Sequence, residues 1–193
     1  MSERPKLVLA SQSPRRRELL KLLCGEFEVL ASQVSETSKR KEPPRKMVQR
    51  LARAKAQAVQ VLRPDSVIVG ADTVVICRGL VLGKPKSYKD ATHMLMRLSG
   101  KTHRVLTGLC VLRDHQCCMG VSTTQVQFSR LSDSEIERYL KTGEPFDKAG
   151  AYAIQGFAAR YVERIDGCYF NVVGLPISLL YQMLRRVGYP LYG

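Results

Sequence analysis

The stretch KLVLASQSPRRRELL, residues 6–20, predicts the first elements of the fold. Its first five residues, Lys6 followed by four apolar residues, are typical of a buried strand. Ser13 followed by Pro14 matches a helix N-cap with proline at the first helical position. The stretch therefore predicts a strand, a turn and a helix. The start of that helix presents backbone N–H groups that suit an anion.

Beyond this stretch, helix and strand patterns alternate irregularly. The clearest helix is predicted over residues 44–62, with Lys55 lying largely off its apolar stripe. The residues of that stripe are Met47, Leu51, Ala54, Ala58 and Leu62. Apolar runs on either side of Arg78-Gly79 predict a β-hairpin, and Ser132 with Glu135 predicts a capping box. Strands are also predicted over 151–154 and 159–165.

These patterns predict the α/β class with a mixed sheet. The chain has 193 residues with no repeat or linker, so a single domain over residues 1–193 is expected. Its composition, 45% hydrophobic and 25% charged, is that of a globular protein and argues against disorder. No apolar run is long enough for a membrane span, and six cysteines without a CxxC pair indicate reduced thiols. We expect a cytoplasmic protein with no membrane partner.

The net charge of +14 is less ordinary. Residues 1–55 alone carry fourteen Lys and Arg against six Asp and Glu. Such a surplus favours anionic ligands, which include nucleic acids, membrane surfaces and phosphorylated small molecules. A basic protein whose charges lie on solvated surfaces is the alternative, and charge alone does not choose between them.

Several charged residues could carry chemistry on phosphates. Arg15 and Arg16 oppose the dipole in the first turn of a helix, and a bound phosphate would relieve this. Asp72 follows a run of β-branched residues, so its carboxylate must be paired, hydrogen-bonded or coordinated to a cation. An Asx turn is the structural alternative. With Glu36, Lys55 and Lys84, the set supplies what polyphosphate hydrolysis requires, namely carboxylates for a metal and cations for phosphate charge.

A series of short blocks, in one order along the chain, resembles the Maf (septum-formation inhibitor) family. The resemblance runs from about Lys6 to Leu184. The blocks are residues 9–16, 50–56, 70–73, 82–85, 98–103, 143–150 and 173–176. Any one block is weak, whereas their ordered combination is specific.

The resemblance implies a nucleoside triphosphate pyrophosphatase, which cleaves between the α and β phosphates. It implies an elongated Maf and ITPase-like fold, with a mixed sheet, helices on its faces and a cleft between two lobes. It further implies a divalent cation (Mg²⁺, Mn²⁺ or Co²⁺) and a homodimer. The family's general-base position falls on Asp72, and its metal-binding carboxylates on Glu36 and Asp72. The spacing of the two residues does not decide which carboxylate is the base and which binds the metal. Its substrate-binding positions fall on Ser11, Arg15, Arg16, Lys55 and Lys84, with Asp147 and Lys148 near the cleft.

Three positions concern the choice of base. The branch of the family that acts on dTTP and UTP is matched at Arg15, Thr73 and Gln155, and the amide of Gln155 suits the imide edge of a pyrimidine. The expected role is removal of non-standard or excess pyrimidine nucleotides. A 7-methyl-GTP pyrophosphatase of the same family is the alternative among enzymes. A nucleic-acid-binding or division-regulating protein is the alternative from another class, but no nucleic-acid-binding motif is present.

Overall fold

The computed structural model describes residues 5–37 and 39–191. The strands are β1 Leu7–Ala10, β2 Glu28–Val29, β3 Val67–Cys77, β4 Leu80–Leu82, β5 Thr102–Arg113, β6 Gln116–Phe128 and β7 Val162–Asp166. The helices are α1 Pro14–Lys21, α2 Pro44–Gln60, α3 Tyr88–Leu98, α4 Asp133–Leu140, α5 Tyr169–Val173 and α6 Ile177–Arg186. Short 3₁₀ turns cover Glu144–Asp147, Ala149–Ala151 and Phe157–Tyr161.

The strands of the described residues form one mixed sheet in the order β2-β1-β3-β5-β6-β7, with β4 paired to β3. The pairs β1–β2 and β1–β3 are parallel, whereas β3–β4 and β6–β7 are antiparallel. The predicted α/β class with a mixed sheet is therefore confirmed. No helix within residues 5–37 and 39–191 is long and apolar enough to cross a membrane.

The chain divides into two compact units. The first consists of residues 1–72, 107–122 and 174–193, and the second of residues 73–106 and 123–173. The single domain expected over residues 1–193 stays a prediction.

The first unit has helices packed on both faces of its strands. Side chains alternate between the faces along each strand. Leu7 and Leu9 of β1 pack in one apolar cluster with Leu180 of α6, and Val8 of β1 packs in another with Ala56 of α2. Each fully buried aliphatic side chain of this kind contributes roughly 1.5–3 kcal/mol, so both faces stabilise the unit.

Two glycines let helix α2 approach the sheet closely. A Cβ added to Gly70 in β3 would lie 2.1 Å from the Ala52 carbonyl oxygen. A Cβ added to Gly108 in β5 would lie 2.4 Å from the Val48 carbonyl oxygen. Real Cβ atoms do not come this close to backbone atoms, so the position of α2 depends on the absence of side chains at both points.

The local predictions near helix ends and turns agree with the structure. Ser13 is the N-cap of α1, and Ser132 with Glu135 forms the predicted capping box of α4. Arg78 and Gly79, with φ of 49° and 77°, form the two-residue turn between β3 and β4. Both residues have the positive φ that tight hairpin turns favour.

Three predictions were wrong. The strand predicted over 159–165 begins only at Val162, because residues 159–161 belong to the 3₁₀ turn Phe157–Tyr161. The buried face of α2 includes Lys55, while Ala58 and Leu62 of the predicted stripe are exposed. Residues 151–154 do not form a strand: Ala151 ends a 3₁₀ turn with a φ of 59°, which is incompatible with an extended chain.

The second unit has an aromatic core. His103 lies edge-on to Phe128 and Tyr152, with ring centroids 5.1 and 5.3 Å away. The His103 Nε2 and the Tyr152 hydroxyl are hydrogen-bonded at 2.8 Å. Burial lowers the pKa of His103 to about 4, so this histidine is neutral at physiological pH.

Candidate active site

The carboxylate of Asp72 lies at the centre of the candidate site in the first unit. Asp72 follows Gly70-Ala71 in the buried strand β3, and only 5% of its surface is exposed. The ammonium of Lys55, from helix α2, donates to Asp72 Oδ1 at 2.7 Å. Because Gly70 brings α2 close to β3, a lysine on the helix reaches an aspartate on the strand. This ion pair explains how Lys55 can be buried on the sheet-facing side of α2.

A second carboxylate completes the cluster. Glu36 lies between β2 and α2, and its Oε1 accepts from Lys55 Nζ at 2.5 Å. The side chain of Glu36 is half exposed, whereas that of Lys55 is buried. Lys55 therefore joins a buried carboxylate to one that solvent can reach.

The cluster sets the proton affinity of Asp72. Burial raises the pKa of Asp72, and the negative charge of Glu36 adds to that increase. The positive charges of Lys55 and Arg16, together with the Lys55 hydrogen bond, oppose it. A carboxylate with a raised pKa is a better proton acceptor near neutral pH than an ordinary aspartate.

The strand–turn–helix junction predicted from residues 6–20 adjoins this cluster. Ser11, buried after β1, accepts from the Ser13 N–H at 3.2 Å and from Arg16 Nη1 at 3.2 Å. Arg16 Nη1 also donates to the Ala71 carbonyl at 2.9 Å, and Arg16 Nε donates to the Gly174 carbonyl at 2.9 Å. Arg16 thus holds the backbone next to Asp72. Burial lowers the pKa of Arg16, while the charges of Asp72 and Glu36 oppose that shift.

The structure brings together Ser11, Arg16, Glu36, Lys55 and Asp72 in the first unit. Arg15, also predicted to bind substrate, is half-buried beside Arg16 in α1.

The remaining predicted residues belong to the second unit. Thr73 follows Asp72 in β3 and is half-buried, whereas Lys84 and Gln155 are exposed on connecting segments. Lys148 Nζ donates to Asp147 Oδ1 and, at 2.7 Å, to the Glu144 carbonyl.

Sequence patterns alone missed two residues next to the cluster. Glu42 and Arg50 form a two-pronged ion pair, with both nitrogen–oxygen distances at 2.7 Å. Arg50 belongs to a family block, but no periodicity links it to a glutamate eight residues earlier, outside the helix. Opposite charges on either side of Pro43-Pro44 are the one signal that could have suggested the pair.

The chemistry of the donor set fits a divalent cation that binds together with substrate. Asp72 and Glu36 offer carboxylate oxygens on either side of one ammonium, and Mg²⁺ prefers such oxygen ligands. In the part of the chain that the structure describes, no group of three or more His, Cys, Asp or Glu side chains could hold a metal ion. Two carboxylates suffice where water and phosphate oxygens complete the coordination, as is usual for Mg²⁺.

A solved structure has a fold similar to that of this chain. The chain is similar to the structure titled "The structure of the Staphylococcus aureus Ham1 protein", with a TM-score of 0.53, 14% identity and coverage of 94% of this chain and 99% of that chain. At this identity the similarity concerns the fold alone. The similarity supports the predicted α/β architecture with a mixed sheet.

The family follows from the sequence comparisons. A family model described as "Maf-like protein" matches residues 6–187, so the chain belongs to the Maf family. A protein of Anaeromyxobacter dehalogenans named dTTP/UTP pyrophosphatase is 50% identical over 192 residues, 97% of this chain and 96% of the relative. A protein of Bacillus pumilus with the same name is 49% identical over 182 residues, 94% of this chain and 96% of the relative. The resemblance seen in the sequence blocks is thereby confirmed.

Proposed function

We propose that this protein hydrolyses dTTP and UTP between the α and β phosphates, releasing the nucleoside monophosphate and pyrophosphate. The observation that carries the proposal is the Lys55 ammonium held between the carboxylates of Asp72 and Glu36. It occurs in a member of the Maf family whose relatives, about half identical over nearly their full length, are named dTTP/UTP pyrophosphatases.

In this mechanism Asp72 is the general base. Its buried carboxylate, with a raised pKa, accepts a proton from the water that attacks phosphorus. Lys55 fixes the orientation of the carboxylate through the hydrogen bond to Oδ1. The positive charges of Lys55 and Arg16 stabilise the negative charge that develops on the phosphates.

Glu36 and Asp72 would hold the divalent cation. When bound, the cation neutralises charge on the triphosphate and orients it. Arg15 and Lys84 are proposed to bind the polyphosphate, and Thr73 and Gln155 to select the base. The Gln155 amide supports a pyrimidine preference because it offers both a donor and an acceptor to the imide edge of uracil or thymine.

The proposal is tested by incubating the purified protein with dTTP, UTP, CTP, ATP, GTP and 7-methyl-GTP and separating the products by ion-exchange chromatography. We expect monophosphate and pyrophosphate from dTTP and UTP. Diphosphate with orthophosphate would contradict the proposed cleavage, and a preference for 7-methyl-GTP would favour the alternative branch. Chelation with EDTA should abolish turnover and added Mg²⁺ should restore it, whereas full activity in EDTA would overturn the metal assignment.

The homodimer and the cytoplasmic location stay predictions. Sedimentation equilibrium of the full chain checks the first, and a mass near 21.7 kDa, that of one chain, would contradict it. Fractionation of the source cells checks the second.

A further inference from the structure

We propose that Arg50 and Glu42 are a positioning pair that aims Glu36 at Lys55 and Asp72. Neither Arg50 nor Glu42 takes part in the hydrogen bonds that join Lys55 to Glu36 and Asp72. The pair therefore acts through the backbone of the segment that carries Glu36. The expected effect on turnover rests on the proposed function, whereas the ordering of the segment that carries Glu36 rests on geometry alone.

Arg50 ties two points of this segment to helix α2. Its Nε and Nη2 donate to the two carboxylate oxygens of Glu42, both at 2.7 Å. Its Nη2 also donates to the backbone carbonyl of Thr37, the residue after Glu36, at 3.1 Å. A planar guanidinium that binds in this way fixes direction as well as distance.

Glu42 in turn orders the backbone that precedes α2. Its Oε2 accepts from the Lys39 N–H at 3.3 Å, and its own N–H donates to the Lys39 carbonyl at 3.1 Å. The hydrogen bonds from Arg50 lower the pKa of Glu42 to about 2, so its carboxylate stays charged at any pH at which the protein works. Its side chain is only 11% exposed.

The same helix carries the residue that receives Glu36. Lys55 lies five positions after Arg50 on α2, so Arg50 fixes the backbone at Thr37 while Lys55 binds the adjacent side chain. Glu36 is half exposed, and the described residues around it, 30–37 and 39–43, have no regular secondary structure. A solvent-accessible glutamate on such a segment keeps one orientation only if the backbone is held nearby.

The experiment compares Arg50→Gln with Arg63→Gln. Arg63 is a matched control in the same unit, because its Nε and Nη2 bind both oxygens of Glu28 at 3.0 and 2.7 Å, away from Asp72. We expect Arg50→Gln to lower kcat for dTTP roughly 10- to 100-fold, the usual cost of a misplaced group, with Arg63→Gln near wild type. Arg50→Lys, which keeps the charge and loses the fork, should recover only part of the loss.

A double-mutant cycle separates positioning from a general structural role. If Arg50 acts through Glu36, then Arg50→Gln should cost little further activity in a Glu36→Gln background. Independent, multiplicative losses in the double variant would overturn the proposal, as would equal losses in Arg50→Gln and Arg63→Gln.

Hydrogen exchange provides a reading that does not depend on catalysis. Arg50→Gln should speed amide exchange in residues 31–37 relative to wild type, while Arg63→Gln should leave it unchanged. Unchanged exchange in Arg50→Gln overturns the positioning pair whether or not the protein is a pyrophosphatase. Absence of hydrolysis by the wild type would overturn the proposed function alone, and exchange would then decide the pair.

Discussion

Glu144 accepts a hydrogen bond from the backbone N–H of Phe157 at 2.9 Å through its Oε2. Its other oxygen accepts from the buried Tyr139 hydroxyl at 2.8 Å, and that hydroxyl accepts from the Ala153 N–H at 3.3 Å. The backbone on both sides of Gln155 is therefore held by one carboxylate and one phenol.

Glu144→Gln should destabilise the protein by about 1.5–3 kcal/mol, because one amide oxygen cannot replace a carboxylate that accepts from two donors. Urea unfolding measures the change. Glu163→Gln is the control, since Glu163 is an exposed glutamate that accepts one side-chain bond from Gln127. We also expect Glu144→Gln to reduce the preference for UTP over CTP, because Gln155 loses its fixed backbone. Equal stability of the two variants would contradict the prediction.

Gly70→Ala should destabilise the protein by roughly 1–3 kcal/mol, the usual cost of overpacking. The added Cβ would lie 2.1 Å from the Ala52 carbonyl oxygen, so helix α2 would have to move. Gly25→Ala is the control, because a Cβ there meets no atom within 4 Å. Chemical unfolding of both variants tests this, and a Gly70→Ala protein as stable as Gly25→Ala would show that α2 can shift without cost.

Asp72→Asn should reduce turnover of dTTP about 100-fold or more while the protein still unfolds cooperatively. The amide matches the carboxylate in shape, but it cannot accept a proton at neutral pH. Asp65→Asn, at an exposed aspartate of the same unit, should retain wild-type rates. Steady-state kinetics on both variants measures the difference, and near-wild-type turnover by Asp72→Asn would reduce Asp72 to a structural role.

Three exposed lysines distinguish a nucleotide enzyme from a nucleic-acid binder. Lys84→Gln should impair dTTP hydrolysis far more than Lys39→Gln or Lys41→Gln, because only Lys84 matches a substrate-binding position of the family. If the surface binds polyanions instead, all three changes should weaken binding to single-stranded DNA, each lowering the salt dependence by about one unit. Turnover and DNA titrations at several salt concentrations measure both, and equal effects on hydrolysis would refute the assignment of Lys84.

His103 should make stability depend on pH below neutrality. Its pKa in the folded protein is about 4, below the ordinary 6.5, so the unfolded chain binds more protons between these values. The stabilising effect is complete above pH 6.5 and is lost as the pH falls towards 4, up to about 3 kcal/mol. Urea unfolding at pH 4.5 and 7 should show a smaller decrease for His103→Gln than for His93→Gln, whose histidine is exposed. Identical pH slopes would exclude His103 as the cause.

The parts of the fold set by neighbouring residues were predictable from sequence. The N-cap at Ser13 and the turn at Arg78-Gly79 depend on residues a few positions apart, and both agree with the structure. The buried face of α2 was mispredicted because periodicity treats a lysine as polar. Lys55 is buried because Glu36 and Asp72, nineteen residues before it and seventeen after it, supply the compensating charges.

In the candidate site, too, residue types were predictable from sequence, whereas the contacts between them were not. The charged-residue pattern and the family resemblance predicted Glu36, Lys55 and Asp72 as one set, but which of them are in contact was visible only in the structure. Arg16 is predicted to bind the phosphates, which stays a prediction, and the structure adds that its Nε and Nη1 bind the backbone carbonyls of Gly174 and Ala71. Backbone carbonyls carry no sequence signal, so contacts of this kind cannot be predicted from residue types.

Helix α2 rests on glycines at both Gly70 and Gly108 and carries both Arg50 and Lys55. Any substitution that lifts or rotates this helix would therefore move Lys55 and Arg50 together. We accordingly expect repacking of the helix–sheet contact for heat resistance to lower turnover, even where none of the clustered residues changes. Selection for a more thermostable variant should instead target the exposed faces of α3 and α4, which carry none of the five clustered residues.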